Sequence, residues 1–531
     1  MPAADRQDHA AQAAVAPPAP RLFAVIDVGT TSVRMEIAQV DHDGAVARIE
    51  SLQQAVSLGK DVFTAGRIET ETIEQCVEAL RTFQAKLQEY RIIQPDQVRA
   101  VATSAVREAG NREAFLDRLY IGSGINVEDI DAAEVNRYTY LSVKPLIESE
   151  ERLRNRDTVI VEVGGGSTEL LLVQSGQVAS SHSYRLGSVR IREMIEDFRA
   201  PSARMPDLLE NTIRTALQQI RHDIRLKRNP NLLALGGDAR FAAFHLVNET
   251  EPSGLSELRV PALSELTDGI LRLSVDDLVR TYHLTYPDAE TLGPALLAYT
   301  RLAQALDLRR VFVAGATLRD GLLADMTRDS WTDDFTEQII RSSLQLGRKY
   351  DFEATHAEHV AALSRQIFRA LREEHRLAPR YEIILAVAAI LHEVGLFVSN
   401  RSHHKHSLYL IQNSEVFGLG PRDLNLVALV ARYHRRATPS LSHDGYAALD
   451  REERIAVAKL AAILRVADAL DRGHAQRIRE IDIRTEPGQM AITAHNVSDL
   501  TLEQLGLQQK GGMFEQVYGM RVLLRPGRRR Q

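Results

Sequence analysis

Residues 23–40 read FAVIDVGTTSVRMEIAQV and residues 158–173 read TVIVEVGGGSTELLLV. Each stretch is an apolar, β-branched run, then a carboxylate, Val, Gly, small residues and Ser, then a second apolar run. Each second run meets a polar turn with glycine, DHDG at 41–44 and QSGQ at 174–177. A strand, a tight turn and a strand are therefore expected twice. Gly29 and Gly164 to Gly166 carry no side chains, so backbone N–H groups can close around phosphate oxygens. Thr30, Thr31, Ser32, Ser167 and Thr168 add hydroxyl donors. Asp27 and Glu162 end their strands toward one cleft and would repel a phosphate unless a hard divalent cation or a water lies between. A duplicated hairpin implies two related lobes with a cleft between them.

The chain has 531 residues, 44% apolar and 26% charged, with net charge −6. That length suggests roughly three or four domains. Nothing approaches the ~20 unbroken apolar residues of a membrane helix. Residues 1–20 are Ala/Pro-rich and polar, unlike a signal peptide, and are expected to be a disordered tail. The single cysteine, Cys76, excludes an intramolecular disulfide, which fits a reducing cytoplasm. Basic runs lie at 401–406 (RSHHKH), 432–436 (RYHRR) and 525–530 (RPGRRR). Each reads either as solvated surface or as a local patch for a polyanion, and net charge does not decide between them.

The two loops resemble the first and second phosphate motifs of the acetate-kinase, sugar-kinase, Hsp70 and actin superfamily. VATSAVREAGNREAFL at 101–116, SYRLGSVRI at 183–191 and VFVAGATLRDGLL at 311–323 are similar to segments of the exopolyphosphatase and guanosine-pentaphosphate phosphohydrolase (Ppx/GppA) family. The resemblance covers nearly everything after residue ~20. It implies an α/β fold of two actin-like (ribonuclease H-like) lobes at 21–145 and 146–328. An all-α HD-like domain at 329–476 and a small α+β domain at 477–531 would follow.

Fold alone does not separate kinase from hydrolase in this superfamily. The family carries a catalytic Glu in a segment like SGEEEARLIYLGV, and residues 131–143 read DAAEVNRYTYLSV. Arg137, Tyr140, Leu141 and Val143 set a register that puts Glu134 on that position, with the implied role of general base. By the same resemblance Asp27, Glu162 and Glu169 would hold Mg2+ or Mn2+, with Glu162 standing where the family usually has Asp. Arg34, Arg107 and Arg319 would neutralise phosphate oxygens. Asp238, in LLALGGDARFAA at 232–243, replaces a usual Thr and reads as a helix N-cap.

After Trp331 the pattern changes to long amphipathic helices. HAEHVAALSRQIF at 356–368 and LAVAAILHEVGLF at 385–397 carry His356, His392 and Glu393. Together with His406, His434 and Asp468 the order resembles an HD domain, whose His and carboxylate side chains bind divalent metals. The adjacent pair here is His-Glu rather than His-Asp, and satisfied structural histidines are the alternative. The resemblance suggests that the basic runs of this half form part of a channel for a long anionic chain. It implies a cytoplasmic, homodimeric enzyme releasing orthophosphate from inorganic polyphosphate, guanosine pentaphosphate or both. A superfamily kinase or ATPase, and a non-catalytic polyphosphate or alarmone sensor, are the other readings.

Overall fold

The computed structural model describes residues 21–41, 45–92, 94–197, 205–223, 230–247, 254–327, 333–435, 437–495, 497 and 499–527. The tail expected at 1–20, Arg436 and the last three arginines of RPGRRR lie outside them. Among the described residues, no helix is long and apolar enough to cross a membrane.

Both repeated stretches form hairpins. Strands β1 (Arg21–Val28), β2 (Ser32–Val40), β3 (Val46–Ala55), β4 (Val98–Ala102) and β5 (Val127–Asp129) make one sheet in the order β3-β2-β1-β4-β5. Strands β6 (Thr158–Val163), β7 (Thr168–Gln174), β8 (Gln177–Tyr184), β9 (Asn231–Leu235), β10 (Leu255–Arg259) and β11 (Arg310–Ala314) make the second, β10-β11-β9-β6-β7-β8. In each sheet the first strand runs antiparallel to the second and parallel to the fourth. The match extends to irregularities. Each pairing of second with third strand slips once, at Ile37/Ala38 and at Leu172/Val173. Gln174 pairs with Gln177, and the two turn residues between them, Ser175 and Gly176, have φ of 52° and 76°. Both signs are those of a type I′ hairpin turn.

Strand β6 shows why the second sheet reads as a continuous apolar run. Val159, Val161 and Val163 enter one core and Ile160 the other, because successive side chains point to opposite faces. The first core is roofed by helices including Met205–Asp223 and Tyr286–Ala305. The second face is roofed by the helices Ala132–Ser149 and Asp333–Lys349, and through the latter it is continuous with the core of the C-terminal half, built from helices Ala354–Ala370, Arg380–Leu391, Pro421–Arg432 and Arg451–Leu470. The end piece has strands β12 (Ile481–Glu486), β13 (Gln489–Ala494) and β14 (Arg521–Pro526), with helices Thr501–Lys510 and Gly512–Tyr518 inserted before the last strand. Its Met490, Ile492 and Phe514 join the same core.

The expected boundary at 145/146 falls inside the helix Ala132–Ser149. Tyr138 and Leu141 on that helix pack in the first lobe, whereas Tyr140, Val143 and Ile147 pack against the second. The helix Leu318–Met326, expected within the second lobe, returns to the first, where Leu322 and Leu323 meet Phe23 and Val25. The cause is burial of that apolar pair on the open face of β1. Gly321 permits the approach: a Cβ there would lie 2.0 Å from the carbonyl oxygen of Tyr138. Gly321→Ala is expected to cost about 1–3 kcal/mol by overpacking. Differential scanning fluorimetry checks this as a lowered first unfolding transition.

Candidate functional site

The two hairpin turns face one another across a cleft of about 420 Å³. Each turn is closed by the same bond: Gly29 N–H donates to Ser32 O (3.0 Å) and Gly164 N–H to Ser167 O (2.8 Å). The loops also touch, since a Cβ on Gly165 would lie 2.7 Å from Thr30 Cβ. The LGSVR segment holds the second loop from behind. Ser188 N–H donates to Gly164 O, Arg190 N–H to Gly165 O, and Arg190 Nε to Gly166 O at 2.8 Å. Arg190 is fixed in turn by Glu108 and by the Phe63 ring.

Of the expected phosphate ligands, Gly29, Thr30, Thr31, Ser32, Arg34, Arg107, Gly164, Gly165, Ser167 and Arg319 line the cleft, as do Asp27, Glu162 and Glu169. Gly166 and Thr168 do not. Gly166 sits beneath the loop, where a Cβ would strike Ser104 and Phe63. The Thr168 hydroxyl is spent on the Leu186 carbonyl.

Glu134 is also elsewhere. It is the third residue of the helix Ala132–Ser149 and completes a capping box with Asp131. Glu134 N–H donates to Asp131 Oδ1 (2.9 Å), and Glu134 Oε2 accepts from Asp131 N–H (3.2 Å). Burial raises its pKa, and Arg99 and Arg137 are its cationic neighbours. The residue of this segment that lines the cleft is the next one, Val135. The D-x-x-E spacing ahead of a helix was the signal for this placement.

Opposed positions on the two ladders set the electrostatics. Asp27 pairs with Arg34 across β1 and β2, but Glu162 pairs with Glu169 across β6 and β7. Directly opposed like charges destabilise a sheet. Burial raises the pKa of all three carboxylates, Glu169 to about 7, against the opposing pull of arginines and, at Glu169, of two serine hydroxyls. Ser167 and Ser183 both donate to Glu169 Oε1, at 2.8 and 2.9 Å. Glu169 Oε2 and Asp27 Oδ1 are buried with no hydrogen-bond partner. Asp27 Oδ1 together with the Glu162 carboxylate offers oxygen-only donors, the first of them orphaned, which fit a hard divalent cation such as magnesium.

Two cleft residues were not anticipated as ligands. Arg240 faces Glu162, Arg34 and Arg319, and burial lowers its pKa. Asp238, read as a cap, lies in the first turn of helix Gly237–Val247 and lines the cleft. Burial first, then Asp288, raises its pKa to about 7.

The histidines of the C-terminal half separate into two sets. His356, His392 and Asp468 converge, with Glu393 beside them. His434 is buried but bonds to His403. His406 is not part of the group: the buried stripe of its helix is His403, Ser407 and Ile411, and His406 lies off that stripe. Lys405, Arg432 and Arg435 from the two internal basic runs gather around His404, whose pKa falls to about 4 through burial first, then His403, then these cations.

The model of the Ppx/GppA phosphatase family matches residues 37–330, and that of Ppx/GppA phosphatase domain III matches 340–510. An exopolyphosphatase from Cytophaga hutchinsonii is similar at 21% identity and a TM-score of 0.52, over 58% of this chain and 98% of that one. An exopolyphosphatase-like protein is similar at 23% and 0.51, over 58% and 97%. A Ppx/GppA family member from Aquifex aeolicus shares 24% identity at a TM-score of 0.48, over 58% and 97%. The first two likenesses show a shared fold.

A charge-assisted contact is worth about 1.5–3 kcal/mol. Arg240→Gln is therefore expected to weaken tripolyphosphate binding by about 10- to 100-fold. Isothermal titration calorimetry reads the change, and circular dichroism should show the fold unaltered.

Proposed function

This chain belongs to the Ppx/GppA phosphatase family, and from that premise we propose that it releases orthophosphate from the terminal phosphoanhydride of inorganic polyphosphate, guanosine pentaphosphate or both. Family membership supports phosphate-releasing hydrolysis. The observation that carries the finer reading is the facing pair of glycine loops, ringed by Arg34, Arg107, Arg240 and Arg319 around a set of buried carboxylates. Backbone N–H groups and guanidinium forks cradle terminal phosphate oxygens without removing a proton from them. In phosphoryl transfer such positioning and charge stabilisation supply most of the catalysis.

Asp27 and Glu162 would hold the magnesium or manganese ion, which when bound neutralises phosphate charge and polarises the phosphorus–oxygen bond. Thr30, Thr31, Ser32 and Ser167 orient the terminal group by hydroxyl donation. Glu169 is assigned the general base in place of Glu134. Its Oε1 is anchored by two serines, and Oε2 remains free to accept the proton of the attacking water. A homodimer in the cytoplasm is part of the same reading, drawn from the family resemblance.

One observation favours a second reading. Val135 lines the cleft where the helix start would otherwise offer a carboxylate, so a polyphosphate or alarmone sensor that binds without turnover is the alternative.

The test is phosphate release from long-chain polyphosphate and from guanosine pentaphosphate, with and without magnesium. Wild-type protein is expected to release phosphate only with magnesium, and Asp27→Asn and Glu169→Gln to lose at least about 100-fold, within the 10²–10⁴-fold typical of a positioned base. Glu134→Gln, which preserves the capping box, is expected to stay within about twofold of wild type. Collapse of activity in Glu134→Gln would return the base to Glu134. Tight binding without release by the wild type would establish the sensor.

A further inference from the structure

Strands β6 and β9 run parallel toward the cleft, with Thr158 opposite Asn231 and Glu162 opposite Leu235. Asn231 N–H donates to the Asp157 carbonyl. The even spacing of a parallel ladder then makes Val159, Val161 and Val163 the donors of β6 toward Asn231, Leu233 and Leu235. At the last of these rungs, beside the cleft, a side chain joins in. Val163 N–H donates to the Tyr299 hydroxyl (2.9 Å), and the hydroxyl donates to the Leu235 carbonyl. A peptide N–H only donates and a carbonyl only accepts, so the single hydroxyl proton goes to Leu235. Tyr299 is buried, and burial raises its pKa well above that of free tyrosine, so that proton stays in place.

The two strand ends joined in this way carry opposite charges into the cleft. Glu162 precedes Val163 on β6. Leu235 ends β9 and leads into Gly236, whose carbonyl accepts from Arg240 N–H. Arg240 faces Glu162, and its Nη1 is buried with no hydrogen-bond partner. Gly236 has φ of 96°, and a Cβ there would lie 3.3 Å from the Tyr299 hydroxyl oxygen and 3.7 Å from Glu162 Cγ. That Cγ is the methylene by which Glu162 exceeds an aspartate, so tyrosine, glycine and the longer acid pack as one group.

The helix Tyr286–Ala305 brings the hydroxyl there. Asp288, Leu292, Ala295 and Tyr299 follow one face of it. Asp288 and Leu292 line the cleft, and the same face continues beneath it to the rung.

We propose that Tyr299 is a positioning residue: by clipping β6 to β9 it sets the distance between Glu162, the carboxylate for the metal ion, and Arg240, a guanidinium for the substrate phosphate. This rests on the roles given to those two residues above. Tyr299 reaches neither ion nor phosphate and acts through the backbone. Loss of its hydroxyl removes the bridging oxygen and lets the two strand ends change their separation. Bonds that hold a metal ligand from behind govern about 10- to 100-fold in metal affinity.

The experiment titrates Mn2+ into the full chain and reads the free ion by electron paramagnetic resonance. Tyr299→Phe keeps the ring and its packing and is expected to weaken Mn2+ binding by about tenfold. Tripolyphosphate binding without metal, read by calorimetry, should weaken too, because Arg240 moves with the same clip. Thr300→Val is the control: Thr300 is buried on the same helix, and its hydroxyl lies 3.0 Å from that of Thr267, on the helix Val260–Ile270. It should lower the melting temperature and leave both ligands bound as in the wild type. Hydrogen exchange needs no variant, and saturating Mn2+ should slow exchange at Val163 and at residues 236–240 together. Unchanged Mn2+ binding in Tyr299→Phe, equal weakening by Thr300→Val, or protection confined to β6 overturns the proposal. A wild type that binds no Mn2+ refutes the metal role of Glu162 instead. The tripolyphosphate arm then decides, and equal binding by wild type and Tyr299→Phe overturns the clip.

Discussion

Glu162 and Glu169 stand opposite each other on one face of a buried ladder, and the cleft is organised around that repulsion. In the first lobe the equivalent pair is Asp27 and Arg34, which cancel. The duplicated hairpin thus places one neutral and one doubly acidic pair at the mouth of the same cavity. Arg240, Arg34 and Arg319 crowd the acids without hydrogen-bonding them fully, so their guanidinium groups keep capacity for an anion. A substrate phosphate and a cation each lower the cost of the other's presence, because neither set of protein charges is balanced alone.

The hairpins were legible because their signals are local. Glycine, serine and acid in register state both the turn geometry and the donors, and the matching bulges show that the likeness runs through the whole hairpin. The end piece was legible for the same reason, as alternating strands around a helical insertion. Side-chain direction at a helix start was harder. One residue separates Glu134, which bonds back to its own cap, from Val135, which faces the cleft. Family register gives the neighbourhood, but the 100° step between successive helix positions decides which side chain reaches the substrate. Arg240 carried no local signal, since its importance comes from β9 delivering the helix Gly237–Val247 to the cleft.

Domain limits were the least legible feature. The chain crosses between lobes through a helix that serves both, and it returns to the first lobe through Leu318–Met326 after completing the second sheet. Composition does not change at either crossing. Likewise, the histidines of the C-terminal half were visible as residue types, but which of them converge with Asp468 and which pair with each other depends on how the helices bring them together.

The shared core has a consequence for how the protein is made. Ile160, Leu171, Val173, Leu233 and Phe312 form an apolar face of the second sheet that is covered by two helices, Ala132–Ser149, made before the sheet, and Asp333–Lys349, made after it. At translation rates of about 5–20 residues per second, the part of that face on β8 waits on the order of ten seconds for the second of these helices. During that interval the nascent second lobe presents a broad sticky surface beside the ribosome. The hydrophobic continuity that stabilises the finished molecule makes its half-synthesised form a natural client for chaperones.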